Sequence, residues 1–215
     1  MKIYFKNRGQ AFCRSRFYSA YDNFPHKAVV GKEYPYEFNA GIYTLFGEID
    51  SGNFAISYLL SMYPYARKDF VLWDPAVAEI DGKEIPLDEL GKFSCYLDEV
   101  YPLFSTSDSI RASIEKGLEQ SGSEYSCEEI RDLFCLDKER FERPLSGVGN
   151  ERFRCMAAIG FSYGKDIYCF PWLSHERFVS YHKNITWLLD LLAYLNKTVI
   201  VPVGYPDKPK REHRG

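Results

Sequence analysis

The chain has 215 residues, enough for one domain with a sizeable core, and the composition of a globular protein. Its formal net charge of −3 gives no electrostatic argument for nucleic acid as the main partner. No signal-peptide pattern opens the chain, no apolar run could insert into a membrane, and the cysteines form no Cys-x-x-Cys pair. We therefore expect a cytoplasmic protein with reduced thiols and no metal site.

The recognisable elements begin with a short apolar strand over 41–47, closed by a glycine. A helix over 54–62 follows, and its apolar residues are too frequent for an exposed helix, so it should be buried. A strand, a glycine-bounded loop and a buried helix are the context that a phosphate-binding loop requires. Further on, Asp81-Gly82 between two short alternating runs predicts a β-hairpin over 78–87.

A polar helical segment runs from 105 to 143, and within it Ser126 and Glu129 fit a capping box. After it the chain returns to α/β alternation, and this order of elements favours parallel strand pairing. The expected elements are a helix over 152–161, a buried strand over 166–170, an amphipathic helix over 184–195 and an apolar strand over 198–203. The charged, Pro-rich tail 206–215 is expected to be a flexible, solvated end.

The order of these elements over residues 21–204 resembles the nucleotide-binding domain of the ABC-transporter ATPases. The phosphate loop of that family, Gly-x-x-Gly-x-Gly-Lys-Ser/Thr, falls on residues 47–54 of this chain. Gly47, Ser51 and Gly52 fit this pattern, whereas three positions depart from it. Asp50 replaces the middle glycine, Asn53 the lysine and Phe54 the Ser/Thr.

Four other segments carry the resemblance. Glu99 stands at the Gln of the family's Q-loop, and Gly204 lies near the switch-His position. The run Leu145-Ser146-Gly147-Val148-Gly149 resembles the signature Leu-Ser-Gly-Gly-Gln. Phe170-Pro171-Trp172 stands where the Walker B strand of the family ends in Asp-Glu. Tyr21 is a candidate for the aromatic residue that stacks on adenine.

The resemblance implies an α/β fold with a P-loop NTPase-like, ABC-type ATPase core, in which helices flank a mixed sheet. The core would comprise residues 1–104 and 144–205, with a helical subdomain over 105–143. For two of these motifs a purely structural explanation remains open. Gly47 and Gly52 can serve only to form a tight turn. Ser146 can be a helix N-cap. The functional alternative is that Ser146 contacts nucleotide bound to a partner subunit, although Val148 would crowd the γ-phosphate of that nucleotide.

The replaced residues imply that ATP handling is lost. Asn53 carries no charge for the β- and γ-phosphates, Phe54 offers no oxygen to Mg²⁺, and Pro171 and Trp172 supply neither a metal ligand nor a general base. Trp172 and the tyrosine-rich segment around Tyr58, Tyr63 and Tyr65 could fill the vacated nucleotide space. We therefore expect a pseudo-ATPase subunit without a cofactor, which pairs with an intact ATPase subunit or a transmembrane transporter subunit and so reaches the membrane only peripherally. The alternatives are an ATP- and Mg²⁺-dependent subunit with atypical motifs and a non-ABC interaction domain.

Overall fold

The computed structural model describes residues 2–6, 11–13, 26–28, 36–47, 53–66, 70–72, 77–105 and 107–205. The strands in these ranges are β1 (Ile3–Lys6), β2 (Ala11–Cys13), β3 (His26–Ala28), β4 (Tyr36–Phe38), β5 (Gly41–Phe46), β6 (Phe70–Leu72), β7 (Val77–Ile80), β8 (Lys83–Ile85), β9 (Ser94–Tyr96), β10 (Ile167–Cys169) and β11 (Thr198–Val203). The α-helices are α1 (Asn53–Ala66), α2 (Ile110–Ser121), α3 (Cys127–Leu133), α4 (Lys138–Phe141), α5 (Arg152–Ser162), α6 (His175–Ser180) and α7 (His182–Tyr194).

The centre of the fold is a parallel sheet with the strand order β5-β11-β10-β9. β11 pairs along its whole length with β5, from Thr198 opposite Gly41 to Val203 opposite Phe46, and all six of its residues are buried. The parallel pairing expected between β10 and β11 is confirmed. Because all four strands run the same way, their carboxyl ends meet at one edge, which is where open α/β sheets bind ligands.

Helices α1 and α5 cover opposite faces of this sheet. The ring of Tyr58 in α1 packs edge-on against Tyr96, with 5.6 Å between the centroids. Gly160 of α5 lies so close to the neighbouring strand residue, Cys95, that a Cβ at Gly160 would come within 2.9 Å of its Sγ. Adjacent residues of a strand point to opposite faces, so these two contacts place the helices on either side.

The antiparallel strands form two sheets of their own, in the orders β4-β1-β7-β8 and β3-β2-β6. A single mixed sheet was expected, but in the described ranges no parallel strand shares a sheet with an antiparallel one. The strands of the parallel sheet are far apart in the chain, as parallel pairing requires, whereas β7 and β8 form an antiparallel pair joined by a tight hairpin. The predicted hairpin is confirmed. Asp81 and Gly82 link β7 to β8 with φ values of 50° and 78°, the left-handed pair that a type I′ turn requires.

Helices α2, α3 and α4 all lie within the segment that was expected to be helical. The capping box at α3 is confirmed, since Ser126 Oγ accepts from the N–H of Glu129 and the Glu129 carboxylate accepts from the N–H of Ser126. This segment packs on the core through α2 and α5, where a Cβ at Gly117 would lie 2.1 Å from Ser162 Oγ. The division into a core and a subdomain stays a prediction.

Two expectations about composition can be compared with the described residues. No helix among them is long and apolar enough to cross a membrane. The five cysteines whose side chains are described form no disulfide, and four of them are buried.

Candidate functional site

Three residues meet at the carboxyl edge of the parallel sheet, one from the end of each of three strands: Gly47 after β5, Trp172 after β10 and Gly204 after β11. We call them the strand-end cluster. The Trp172 indole donates from Nε1 to the carbonyl oxygen of Gly47 at 3.1 Å. A Cβ built on Gly204 would lie 2.9 Å from Trp172 Cζ2, so the indole rests on the bare Cα of that glycine.

Backbone hydrogen bonds hold the strand-end cluster in place, because strand pairing continues past the ends of the regular strands. The N–H of Gly47 donates to Val203 O at 2.9 Å, and the N–H of Gly204 donates to Leu173 O at 2.8 Å. Leu173 in turn donates to Pro202 O and forms a parallel bridge with Val203. Trp172 therefore has a fixed backbone position between its two glycine neighbours.

The end of β10 is also tied to α1. The buried hydroxyl of Ser57, in the second turn of α1, donates to the carbonyl of Phe170. Phe170 is fully buried, and its ring packs against Phe153 of α5 with 5.2 Å between the centroids. The residues that end this strand are thus used for packing, and within the described chain no carboxylate follows β10 before Glu176, in the first turn of α6.

The phosphate-loop positions are only partly described. Gly47 is buried at the end of β5, whereas Asp50, Ser51 and Gly52 lie outside the described residues, as do Tyr21 and the tail 206–215. Asn53 and Phe54 are the first two residues of α1. The predicted strand and the predicted buried helix are confirmed, because β5 is followed by α1 and residues 56–62 are buried.

Glu99, at the Q-loop position, lies in the turn after β9 and pairs with Arg152 in the first turn of α5. Glu99 Oε1 is 3.2 Å from Arg152 Nε, although the N–H does not point at that oxygen, so charge rather than a hydrogen bond holds the pair. Both side chains are 43% exposed, and solvent screening makes such a pair weak. The contact joins the Q-loop position to the residues that follow the signature segment.

Asp98 precedes Glu99 and was not singled out by the sequence analysis. Its Oδ1 accepts a hydrogen bond from the N–H of Val100 at 3.2 Å, and its backbone carbonyl accepts one from the N–H of Tyr101. Burial raises the pKa of this carboxyl, and the neighbouring charge of Glu99 adds to the effect. Asp98 therefore stabilises its own turn, and an Asp followed by a tight turn is the sequence signal that could have revealed it.

The signature segment 145–149 forms two short 3₁₀ turns, Leu145–Gly147 and Gly149–Glu151, that lead into α5. The N-cap alternative for Ser146 is wrong, because Ser146 lies inside the first turn and neither of these turns has a side-chain cap. Val148 is 1% exposed and packs into its own chain, and the expectation that it would crowd nucleotide on a partner subunit stays a prediction. Ser146, Gly147 and Gly149 are the signature residues exposed to solvent.

In the described part of the chain, the side chains at the carboxyl edge of the parallel sheet are apolar or already paired. Among the described side chains, no three His, Cys, Asp or Glu residues come together as metal ligands. At the strand-end cluster an indole and two glycines occupy the edge of the sheet, and the described acids nearby, Asp98 and Glu99, are engaged with a backbone N–H and an arginine. The Ser57 and Trp172 hydrogen bonds were missed from the sequence, because both join residues more than a hundred positions apart.

Comparison with known proteins identifies a solved structure with a similar fold. No protein-family model matches the chain, and neither does any curated protein sequence. Among solved structures, a protein from Pyrococcus furiosus, provisionally described as an ABC transporter ATP-binding protein, is similar with a TM-score of 0.56 at 16% sequence identity. The similarity covers 97% of this chain and 94% of that one. The chain therefore shares its α/β fold, with the parallel sheet and flanking helices, with an ABC-type ATP-binding protein.

Proposed function

We propose that this chain is an ABC-type nucleotide-binding-domain-like subunit that does not hydrolyse ATP and acts as a partner within a transporter complex. One observation carries the proposal. β10 is followed directly by Phe170-Pro171-Trp172, and Trp172 lies against Gly47, where the resemblance places the start of the phosphate loop. The position that would need a metal-binding carboxylate and a general base holds an imino acid and an indole instead.

Electrostatics supports the same conclusion for binding. ATP carries about four negative charges, which P-loop proteins offset with a lysine, Mg²⁺ and backbone N–H groups. Here Asn53 stands at the lysine position, and Glu48 and Asp50 are acidic. A carboxylate about 4 Å from a phosphate oxygen costs about 4 kcal/mol at an effective dielectric constant of about 20. Micromolar binding is worth only about 8 kcal/mol, so two such terms suffice to abolish it.

The exposed signature segment supports the partner part of the proposal. Ser146, Gly147 and Gly149 face solvent while Val148 is buried, so the polar edge of the segment is free of its own bulky side chain. A second subunit with an intact phosphate loop, or a transmembrane subunit near Glu99, would be the partner that the resemblance implies. Attachment to such a partner would place the chain peripherally at the cytoplasmic face of the membrane.

A phosphate-release assay with calorimetric titration of MgATP tests the proposal. We expect no turnover above the background and no binding heat at ATP concentrations up to about 1 mM, which corresponds to less than about 4 kcal/mol of binding free energy. Gly52→Asp is the matched control, because it adds a charge inside the loop and should leave the baseline unchanged. Magnesium-dependent turnover that disappears in Gly52→Asp would establish the working-ATPase alternative instead.

A further inference from the structure

We propose that Trp172 is an internal plug, which closes the carboxyl edge of the parallel sheet to triphosphate independently of the side chains lost from the phosphate loop. The inference rests on the proposed function, because it takes the strand-end cluster to be the former nucleotide site. It goes further by assigning exclusion of the nucleotide to the bulk and position of one indole, rather than to missing charge.

The indole is fixed on two sides. Its Nε1 donates to Gly47 O at 3.1 Å, and its six-membered ring lies over Gly204, where a Cβ would approach to 2.9 Å. Gly204 is thus required to be a glycine by the ring above it. A tryptophan ring that spans the ends of β5 and β11 covers the surface that a ligand at this edge would approach.

The indole also satisfies the backbone of the strand end. The N–H of Gly47 donates to Val203 O, and its carbonyl accepts from Trp172, so both of its polar groups are used within the protein. A phosphate would have to displace the ring without offering Gly47 O a donor, because phosphate oxygens accept hydrogen bonds. The ring packs against the hydrophobic core, which opposes its displacement.

Steric and electrostatic exclusion can be separated by restoring the loop. The loop-restored variant, Asp50→Gly/Asn53→Lys/Phe54→Thr, recreates the full phosphate-loop pattern and removes one acid. It is compared with the same variant that also carries Trp172→Ala. Because tryptophan and alanine are both uncharged, any difference in MgATP affinity between the two proteins reports on the ring and not on charge.

We expect the loop-restored protein to bind MgATP at least tenfold more weakly than its Trp172→Ala counterpart in calorimetric titration. Trp172→Phe, which keeps an aromatic ring but loses the N–H donor, should remain closer to the plugged protein. Trp187→Ala in the loop-restored background is the control for loss of a tryptophan elsewhere, and it should not change the affinity. Equal affinity with and without Trp172, whether both proteins bind or neither does, overturns the plug.

A second measurement avoids the substitution at Trp172. In a Trp73→Phe/Trp187→Phe background, Trp172 is the remaining tryptophan. If its ring is held in place and partly covered, acrylamide should quench its fluorescence several-fold more slowly than that of free tryptophan. Quenching at the rate of the free amino acid would overturn the plug even if Trp172→Ala failed to fold. Failure of the proposed function is a different result, namely turnover by the unmodified chain that Gly52→Asp abolishes.

Discussion

Replacement of Gly117 by alanine sets two opposing effects against each other at the contact between α2 and α5. Alanine is the better helix former, which favours the folded state by about 0.5–1 kcal/mol relative to glycine in a helix interior. Against this, the new Cβ would lie 2.1 Å from Ser162 Oγ and 2.6 Å from Tyr163 Cδ2, far inside contact distance. The sign of the net effect depends on whether Ser162 can move.

Ser162 is poorly placed to move. It is fully buried, its Oγ donates to Ile159 O at 2.8 Å, and its carbonyl accepts a hydrogen bond from Ser121 Oγ at 2.7 Å. Overpacking of such a site typically costs about 1–3 kcal/mol. We therefore expect Gly117→Ala to destabilise the chain by about 1–2 kcal/mol, which for a chain of this size lowers the melting temperature by roughly 2–8 °C.

Thermal and urea unfolding of Gly117→Ala measure this effect. Gly147→Ala is the matched control, since the nearest atom to its Cβ is Arg143 Cβ at 3.5 Å, an ordinary contact. Gly117→Ala/Ser162→Ala should recover part of the loss, because the Oγ is removed while the Tyr163 contact remains. A Gly117→Ala protein as stable as the unmodified chain would refute the packing argument, because it would mean that helix propensity outweighs the contact.

Three further substitutions test buried polar groups. Because burial raises the pKa of Asp98, ionisation of its carboxyl opposes folding. Asp98→Asn should therefore have a higher melting temperature at pH 7. This increase in melting temperature should fade as the pH drops toward 4, where the carboxyl becomes protonated in both the folded and the unfolded chain. A constant gain at every pH would contradict this. The buried Tyr168 hydroxyl has no hydrogen-bond partner in the described chain, so Tyr168→Phe should be neutral or stabilise by up to about 1 kcal/mol in urea unfolding. Tyr101→Phe should lose about 1 kcal/mol, because Tyr101 OH donates to Ser94 O at 2.7 Å, and equal losses in both would refute the reasoning.

The elements that carry local signals could be predicted from the sequence. The apolar runs of β5, β10 and β11 and the frequent apolar residues of α1 indicated buried elements, and the structure has them within a few residues of the expected bounds. Ser126 with Glu129 identified the start of α3, and Asp81-Gly82 identified the hairpin, because both signals act over four residues or fewer.

The rest depended on contacts between distant parts of the chain. The expectation of an N-cap at Ser146 failed because the segment turns twice as a 3₁₀ helix, with Leu145 and Val148 drawn into the core. The Trp172–Gly47 bond and the Glu99–Arg152 pair each join residues far apart in sequence, so no local pattern could reveal them. The motif resemblance predicted which residues belong to the candidate site, but the contacts between them could be seen only in the folded chain.

The pairing of β5 with β11 has a consequence for synthesis. The two strands are separated by roughly 150 residues, so β5 leaves the ribosome on the order of ten seconds before its hydrogen-bonding neighbour. During that delay the apolar surfaces of β5 and α1 lack their neighbouring strand, and transiently exposed apolar surface of this kind is prone to aggregation. β11, which follows the other strands of the described chain in sequence, is thus the strand that joins β5 to β10.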